Sequence, residues 1–511
     1  MTKFSALVPP TAGAASGSCE QRDQASPSLP AVTHSSRLHL HGNLFYTNRS
    51  YHELVSVLVD LLVKNGILVT MDGQHRILED YAVAIEAGKI IEIDQTANLE
   101  KKHGRVEAID GSGCIVMPGI VCSHSHLYGM LLRGASLNIE PPSDLTQILQ
   151  RVWWPMDEAM DFEDAYASAL VACLEFAKSG VTTFADTYSG PNSITGVLDH
   201  IAKAVEEIGI RGFIAFEATE RHSSEEGAKG VEENVRFAET VKPGSRARPL
   251  FSIHASFTVS DPLIRQVKQL ARKHHAPITI HSSEGLVDLH HNMENYGKRT
   301  VERLHDVGLL GPDVVLAHCV NLDEHEISLV ASTKTGVAHN PMSNMLNAVG
   351  VAPILKMLKQ NVTVGLGNDG YIFDMFENMR AAYLLHRVNS RDPNVIDPYT
   401  VLEMATINGA ALYGVQGQVG SIEPGKKADI ILIKPNILPT PLTTGSVVGH
   451  LINTVDGDDV ETVIVDGKPI VRSKKLLTFD EDKAQSIAQA AAAKLWDRLK
   501  TIKPQVDPLK R

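Results

Sequence analysis

His124 and His126 stand two residues apart at the end of the apolar run Val116-Met117-Pro118-Gly119-Ile120-Val121-Cys122-Ser123. In a strand, alternate residues share a face and rise about 3.3 Å each, so both imidazoles reach one metal at roughly 2.0–2.1 Å, whereas a helix points them apart. A solitary His-x-His is more often two ordinary histidines than a ligand pair, so the rest of the chain decides. His254, His281, His318 and Asp369 each close a further short apolar run. His124, His126, His281 and Asp369 together make an N/O set suited to one divalent metal per chain with room for water, zinc first and iron or manganese as alternatives. Such a metal lowers the pKa of water from about 15.7 to about 7, which makes water the expected nucleophile. Glu284, in His281-Ser282-Ser283-Glu284, is the expected general acid/base, carrying the water's proton to a ring nitrogen. His318 is expected to polarise the water and the developing charge, and Asp369 to relay a proton to the leaving group while holding the metal.

Six positions at strand ends require a fold that gathers strand ends. Eight strand candidates run from the first histidine strand through 181–186, 212–217, 250–254, 278–281, 314–318, 336–339 and 363–369. They alternate with stretches of helical periodicity such as 165–178, 194–208, 262–274 and 374–387. This alternation predicts an α/β fold, a (β/α)8 TIM-like barrel over 116–419. Short strands before it (61–63, 67–70, 82–85, 90–93) and after it (428–433, 463–471) read as antiparallel. Neither group alone has enough strands to bury a face, so residues 56–115 and 420–480 are expected to form one composite β-sandwich domain. Residues 481–511 are expected as a C-terminal helix and tail. Residues 1–55, rich in Ser, Ala, Pro and His, read as a poorly ordered tail.

The 511 residues are 43% hydrophobic and 21% charged, enough for a large buried core. A formal net charge of −12 gives no electrostatic footprint for nucleic acid or anionic membrane, leaving a small molecule as the expected substrate. Five cysteines without a Cys-x-x-Cys pair argue against a disulfide framework and for a reducing compartment, read as cytoplasmic. The scarcity of acids in the first fifty residues, only Glu20 and Asp23, leaves organelle targeting open. The most apolar N-terminal stretch, 54–69, carries Asp60 and Lys64 and is broken by Gly66, so it is not expected to span a bilayer.

Pro118-Gly119 before His124-Ser125-His126, followed by His281 with Glu284, His318 and Asp369, resembles the amidohydrolase superfamily over most of the chain. Tyr128-Gly129-Met130-Leu131-Leu132-Arg133-Gly134, Trp153-Trp154, Asn340-Pro341-Met342-Ser343-Asn344-Met345 and Asp374-Met375-Phe376-Glu377-Asn378-Met379-Arg380 are similar to one branch of it. That branch holds S-adenosylhomocysteine/methylthioadenosine deaminases, triazine chlorohydrolases and SsnA-type aminohydrolases, the last resembling this chain most. The resemblance implies a mononuclear site, because His254-Ala255-Ser256-Phe257 lacks the lysine that bridges two metals in other members. It also implies attack on an amidine-like ring carbon with release of ammonia, and a homodimer or tetramer. Substrate contacts are expected from His254, Arg133, Trp153, Glu217, Arg221 and Asn344. Ser343-Asn344-Met345-Leu346-Asn347 departs from the Ser-Asn-Met-Lys-Leu usual in the deaminases, which weakens a nucleoside reading. The expected activity is therefore hydrolytic deamination of an amino-substituted purine, pyrimidine, pterin or triazine-like ring. Hydrolysis of a C–Cl, C–S or amide bond at the same site, or a non-catalytic scaffold, are the alternatives.

Overall fold

The computed structural model describes residues 59–436 and 440–502. The expected N-terminal tail and residues 503–511 of the expected C-terminal tail lie outside the described residues. Eight parallel strands, Ile120–Ser125, Val181–Tyr188, Arg211–Ala218, Phe251–Ala255, Ile278–Ser282, Val314–His318, Gly336–His339 and Val364–Leu366, pair in sequence order as a barrel. A parallel bridge between Ser125 and Asp369 brings its last edge to its first. The first three strands are buried along their whole length, as a parallel sheet covered on both faces requires. The periodic stretches become the outer helices Phe162–Lys178, Val197–Ile208, Asp261–Lys273 and Met375–Ser390. Phe162–Lys178 begins where Asp161 and Asp164 each accept the other's backbone N–H, and Val197–Ile208 stops at Gly209 with φ 91°.

The first histidine run is not one strand. Ile115–Pro118 pairs with Ile67–Val69 and Ile430–Ile433 in a seven-stranded sheet, and only Ile120–Ser125 enters the barrel. Pro118 has no N–H to continue a ladder. Gly119 makes the turn at close quarters, its N–H donating to the Asp429 carbonyl at 2.9 Å. A Cβ at 119 would lie 2.1 Å from Thr182 Oγ1, so only glycine lets the two strands pass.

The flanking segments do meet. In the seven-stranded sheet, strands from before the barrel (Ile67–Val69, Ile77–Leu78, Ile115–Pro118) lie beside strands from after it (Ile430–Ile433, Val460–Val465, Lys468–Arg472, Lys475–Leu476). A four-stranded sheet holds Leu61–Lys64, Tyr81–Glu86, Lys89–Gln95 and Glu107–Asp110. Leu61, Val83, Ile109, Val116, Ile430 and Ile464 bury against one another in a single cluster. Two of the pairings, Leu61–Lys64 with Glu107–Asp110 and Ile67–Val69 with Ile115–Pro118, are parallel where antiparallel strands were expected. The chain between these partners, including helix Thr96–His103, supplies the long connection that parallel neighbours need. Buried Arg211, opening the third barrel strand, clamps this part to the barrel through Asp429 at 2.6 Å and Asp466 at 2.8 Å. Helix Glu481–Leu499 braces the loop after the first barrel strand, Trp496 Nε1 donating to the Leu131 carbonyl at 2.8 Å. Among the described residues no helix is long and apolar enough to cross a membrane.

Gly119→Ala is expected to destabilise the protein by about 1–3 kcal/mol, the usual cost of overpacking. Thermal denaturation should show a lowered Tm that Thr182→Ala recovers in part; an unchanged Tm would count against the close passage described here.

Candidate active site

The predicted ligands converge at the C-terminal ends of the barrel strands. His124 lies in the first strand, and His126 follows it at the entry to the 3-10 turn Leu127–Leu132. His281 lies near the end of the fifth strand, and Asp369 three residues past the eighth. Asp369 Oδ1 stands 3.1 Å from His126 Nε2 and 3.6 Å from His124 Nε2, and His126 Nε2 is 3.1 Å from His281 Nε2. The outer nitrogens are committed elsewhere: His126 Nδ1 donates to the Thr187 carbonyl at 3.0 Å, and His281 Nδ1 to the His254 carbonyl at 2.8 Å. These bonds orient both rings with Nε2 inward, as the outer partners of metal-binding histidines do. His124 Nε2 is buried with no hydrogen-bond partner. Three inward imidazole nitrogens around one carboxylate oxygen fit a divalent transition metal. His318 offers a further nitrogen, grouped within 4.8 Å with those of His124, His281 and Asp369.

The charges around these groups follow from burial and from each other. Burial drives His124 and His254 down to about 3. Burial also opposes charge on His126, but its hydrogen bond to Asp369 and the nearby Glu217 outweigh it and lift His126 to about 10. Burial raises Glu217, yet His281, His254, His126 and His124 pull it down to about 2. Burial opposes charge on Asp369, yet the hydrogen bond from His126 and the nearby His124 and His318 hold it well below the ordinary carboxylate range. Burial thus keeps His124, His254 and His281 neutral and leaves the positive charge on His126 against ionised carboxylates, and a bound cation in place of the His126 proton would answer the same carboxylate charge.

Glu284 leaves the fifth strand through Ser283, whose backbone is left-handed at φ 54°. The Asp288 carboxylate accepts the Ser283 N–H at 2.5 Å and holds that turn. Glu284 Oε2 then lies 3.7 Å from His318 Nε2. His318 and Asp369 are also left-handed, at φ 70° and 59°. Such backbone costs roughly 1–2 kcal/mol per L-residue, and three instances among the predicted site residues and their immediate neighbour mark a place where side-chain aim outweighs backbone comfort.

His126, His281, His318, Glu284 and Asp369 form the floor of a cavity walled by Tyr128, Leu145, Leu149, Trp153, Trp154 and Phe257. Of the expected substrate contacts, His254, Trp153 and Glu217 line it. Arg133 does not: it is half-exposed and pairs with Glu175 at 2.6 Å, because the turn Leu127–Leu132 carries it outward. Arg221 is buried behind the wall, paired with Asp157 at 2.8 Å, its guanidinium 5.2 Å from the Trp154 ring. Asn344 is buried outside the lining, its Oδ1 accepting from His318 Nδ1 at 2.9 Å, so it orients that histidine. Sequence reasoning passed over Asp157 and gave Asn347 no role, although both line the cavity. Asp157 lies one turn from Trp153 on a pair already singled out, and Asn347 four residues from Ser343; either spacing places two side chains on one helical face.

The model of the amidohydrolase family matches residues 115–470. The 5'-deoxyadenosine deaminase of Methanosarcina acetivorans is 36% identical over 450 residues, covering 86% of this chain and 99% of the relative. The 5-methylthioadenosine/S-adenosylhomocysteine deaminase of Pelotomaculum thermopropionicum is 32% identical over 450 residues, 86% of this chain and 100% of the relative. The solved adenosine deaminase of Xanthomonas campestris with bound zinc superposes with a TM-score of 0.79 at 26% identity, covering 87% of this chain and 99% of that one.

Elemental analysis of the purified protein is expected to find about one transition metal per chain, with chelation lowering the Tm and His126→Ala or Asp369→Ala losing the metal. Full metal content in either variant would remove that residue from the ligand set. Burial lifts Asp157 to about 7 even beside Arg221, so without that cation it protonates. Arg221→Met should therefore lower stability in urea denaturation by less than the roughly 3–5 kcal/mol of a broken buried ion pair, and adding Asp157→Leu should recover most of the loss. Equal stability of the Arg221→Met variant would show that the pair contributes nothing.

Proposed function

The chain belongs to the amidohydrolase family, and we propose that it hydrolytically deaminates the adenine ring of an adenosine carrying no phosphate at its 5' position. The observation that carries this reading is the convergence of His124, His126, His281, His318 and Asp369 beside Glu284, at the base of a cavity walled by aromatic side chains. The adenosine-derivative deaminases similar over most of the chain support the ring. Among the described residues the cavity lining holds no lysine or arginine but five carboxyl groups, Asp157, Glu217, Glu284, Asp288 and Asp369, of which Glu217 and Asp369 are held ionised, and this disfavours a phosphorylated ligand.

His124, His126, His281 and Asp369 are the residues that would hold a divalent ion, zinc in the first place. Such an ion supplies Lewis acidity that brings the pKa of water from about 15.7 toward 7. Glu284 accepts the proton of the attacking water and delivers it to the ring nitrogen beside the attacked carbon. His318, its Nδ1 fixed by Asn344, turns Nε2 toward the place where negative charge develops. Asp369, steadied at Oδ2 by Ser343 at 2.5 Å, takes the second proton and passes it to the departing amine. Ring C–NH2 and water thereby become ring C=O and ammonia. Trp153 and Tyr128 wall the ring and keep bulk water from it.

Ammonia release should be seen with 5'-deoxyadenosine and 5'-methylthioadenosine and be absent with adenosine 5'-monophosphate. Silence with every nucleoside, metal bound, would overturn the substrate class. Glu284→Gln should lower kcat about 10²–10⁴-fold while the metal content stays unchanged; near-normal turnover would remove Glu284 from the proton path.

A further inference from the structure

Asn347 stands at a junction that the hydrolytic scheme leaves without a role. It is 7% exposed, lines the reactive cavity, and also borders an adjoining cleft beside helix Leu286–Tyr296. It makes three hydrogen bonds in a chain of five. Trp153 Nε1 lies 3.1 Å from the Tyr371 hydroxyl, which lies 2.9 Å from Asn347 Oδ1. Asn347 Nδ2 lies 3.4 Å from Glu284 Oε1 and 3.3 Å from Ser343 Oγ, and Ser343 Oγ bonds Asp369 Oδ2 at 2.5 Å.

The direction of every bond in this chain is determined by its ends. An indole N–H only donates, so the Tyr371 oxygen accepts from Trp153 and its own proton must go to Asn347. The amide therefore turns Oδ1 toward Tyr371 and its two N–H groups toward Glu284 and Ser343, which settles an orientation that ordinary maps leave ambiguous. At the far end an ionised carboxylate only accepts, so Ser343 gives its proton to Asp369 and receives one from Asn347. All arrows run from the aromatic wall to the two carboxylates that handle protons. Leu at 347, the residue suggested by the resemblance, would supply none of these bonds.

We propose that Asn347 is a positioning residue for the hydrolysis: it divides a one-way donor chain that starts at Trp153 and holds the Glu284 and Asp369 carboxylates oriented as acceptors. The bonds stand on geometry alone; their effect on rate rests on the deaminase reading above. The arrangement links the wall against which the ring lies to both proton-transfer groups, so a ligand that displaces Trp153 also disturbs the carboxylates.

The test uses the full-length metal-loaded protein with Asn347→Leu, Tyr371→Phe and the double variant, each checked for wild-type metal content and Tm. Asn347→Leu should lower kcat about tenfold with KM within twofold of wild type, and Tyr371→Phe about threefold. The double variant should be no worse than Asn347→Leu, because both changes cut one chain. Additive losses, or an unchanged kcat in Asn347→Leu, would overturn the proposal. A second readout needs no turnover. With three tryptophans in the protein, the indole N–H of Trp153 is assigned in ¹⁵N spectra through Trp153→Phe. Its proton signal should move upfield in Tyr371→Phe and shift, by less, in Asn347→Leu. A signal unmoved in Asn347→Leu would refute the chain of bonds even if no nucleoside is deaminated. A moved signal in a protein that releases no ammonia would uphold the bonds and reject only the deaminase reading.

Discussion

Buried imidazole nitrogens turned toward one another are the constraint from which the rest of the structure follows. His126 and His281 face each other at Nε2 across 3.1 Å, each with its Nδ1 already given to a backbone carbonyl. Neutral rings so arranged bring two lone pairs together away from water, and charged rings bring two cations together. Either is costly in a low-dielectric interior unless something of opposite need stands between them. Asp369 answers part of this by accepting from His126, and its own charge is in turn tolerable only because the imidazoles surround it. A cation in place of the His126 proton would answer the same charge. The second group of facing ligands, His126, Glu217 and His281, shows the same economy, since Glu217 is kept ionised by the histidines it steadies.

Such an arrangement needs a scaffold that does not relax. The ligands come from strands far apart in sequence, and the barrel makes them neighbours through the ladder from Ile120–Ser125 round to Val364–Leu366 and the bridge from Ser125 to Asp369. The sheets outside the barrel act on the same point from the other end. Ile115–Pro118 is anchored between Ile67–Val69 and Ile430–Ile433, so the strand that carries His124 starts from a fixed place. The Arg211 clamp to Asp429 and Asp466 holds the third strand likewise. Helix Glu481–Leu499 then closes over the turn that follows His126. Parts of the chain with no chemistry of their own thus keep a cluster of mutually unfavourable groups in register.

Much of this was legible in the sequence because barrels put chemistry where apolar runs stop. His281, His318 and Asp369 could be placed at strand ends from the runs alone, and the eight runs already ordered the strands. Less legible was whatever depends on which way a side chain leaves a turn. Arg133 sits in a motif beside the site, yet a 3-10 turn sends it to Glu175 and solvent. Arg221 follows a buried strand, and only packing shows that it lies behind Trp154 with Asp157 as its partner. The break at Gly119 could not be read from hydrophobicity, because both halves are equally apolar; what divides them is a contact with Thr182 in another strand. Asn344 resembled a substrate contact but acts one step back, through His318.

The wall of the cavity carries an asymmetry that bears on selectivity. On one side, Trp153 donates through Tyr371 and Asn347 toward the Glu284 and Asp369 carboxylates. On the other, Trp154 is backed by Arg221, whose charge is answered by Asp157. The first side links the aromatic wall to the Glu284 and Asp369 carboxylates, and the second sets a carboxylate in the lining with its cation behind the wall. A ring substituent that is neutral and able to donate hydrogen bonds meets carboxylate acceptors on both sides, while an anionic one meets no lysine or arginine among the described lining residues. Discrimination of this kind arises from unpaired groups left behind by the wrong ligand, and it is steeper than discrimination by size. The two adjacent tryptophans therefore perform different tasks, and their neighbours, Tyr371 for one and Arg221 for the other, determine which.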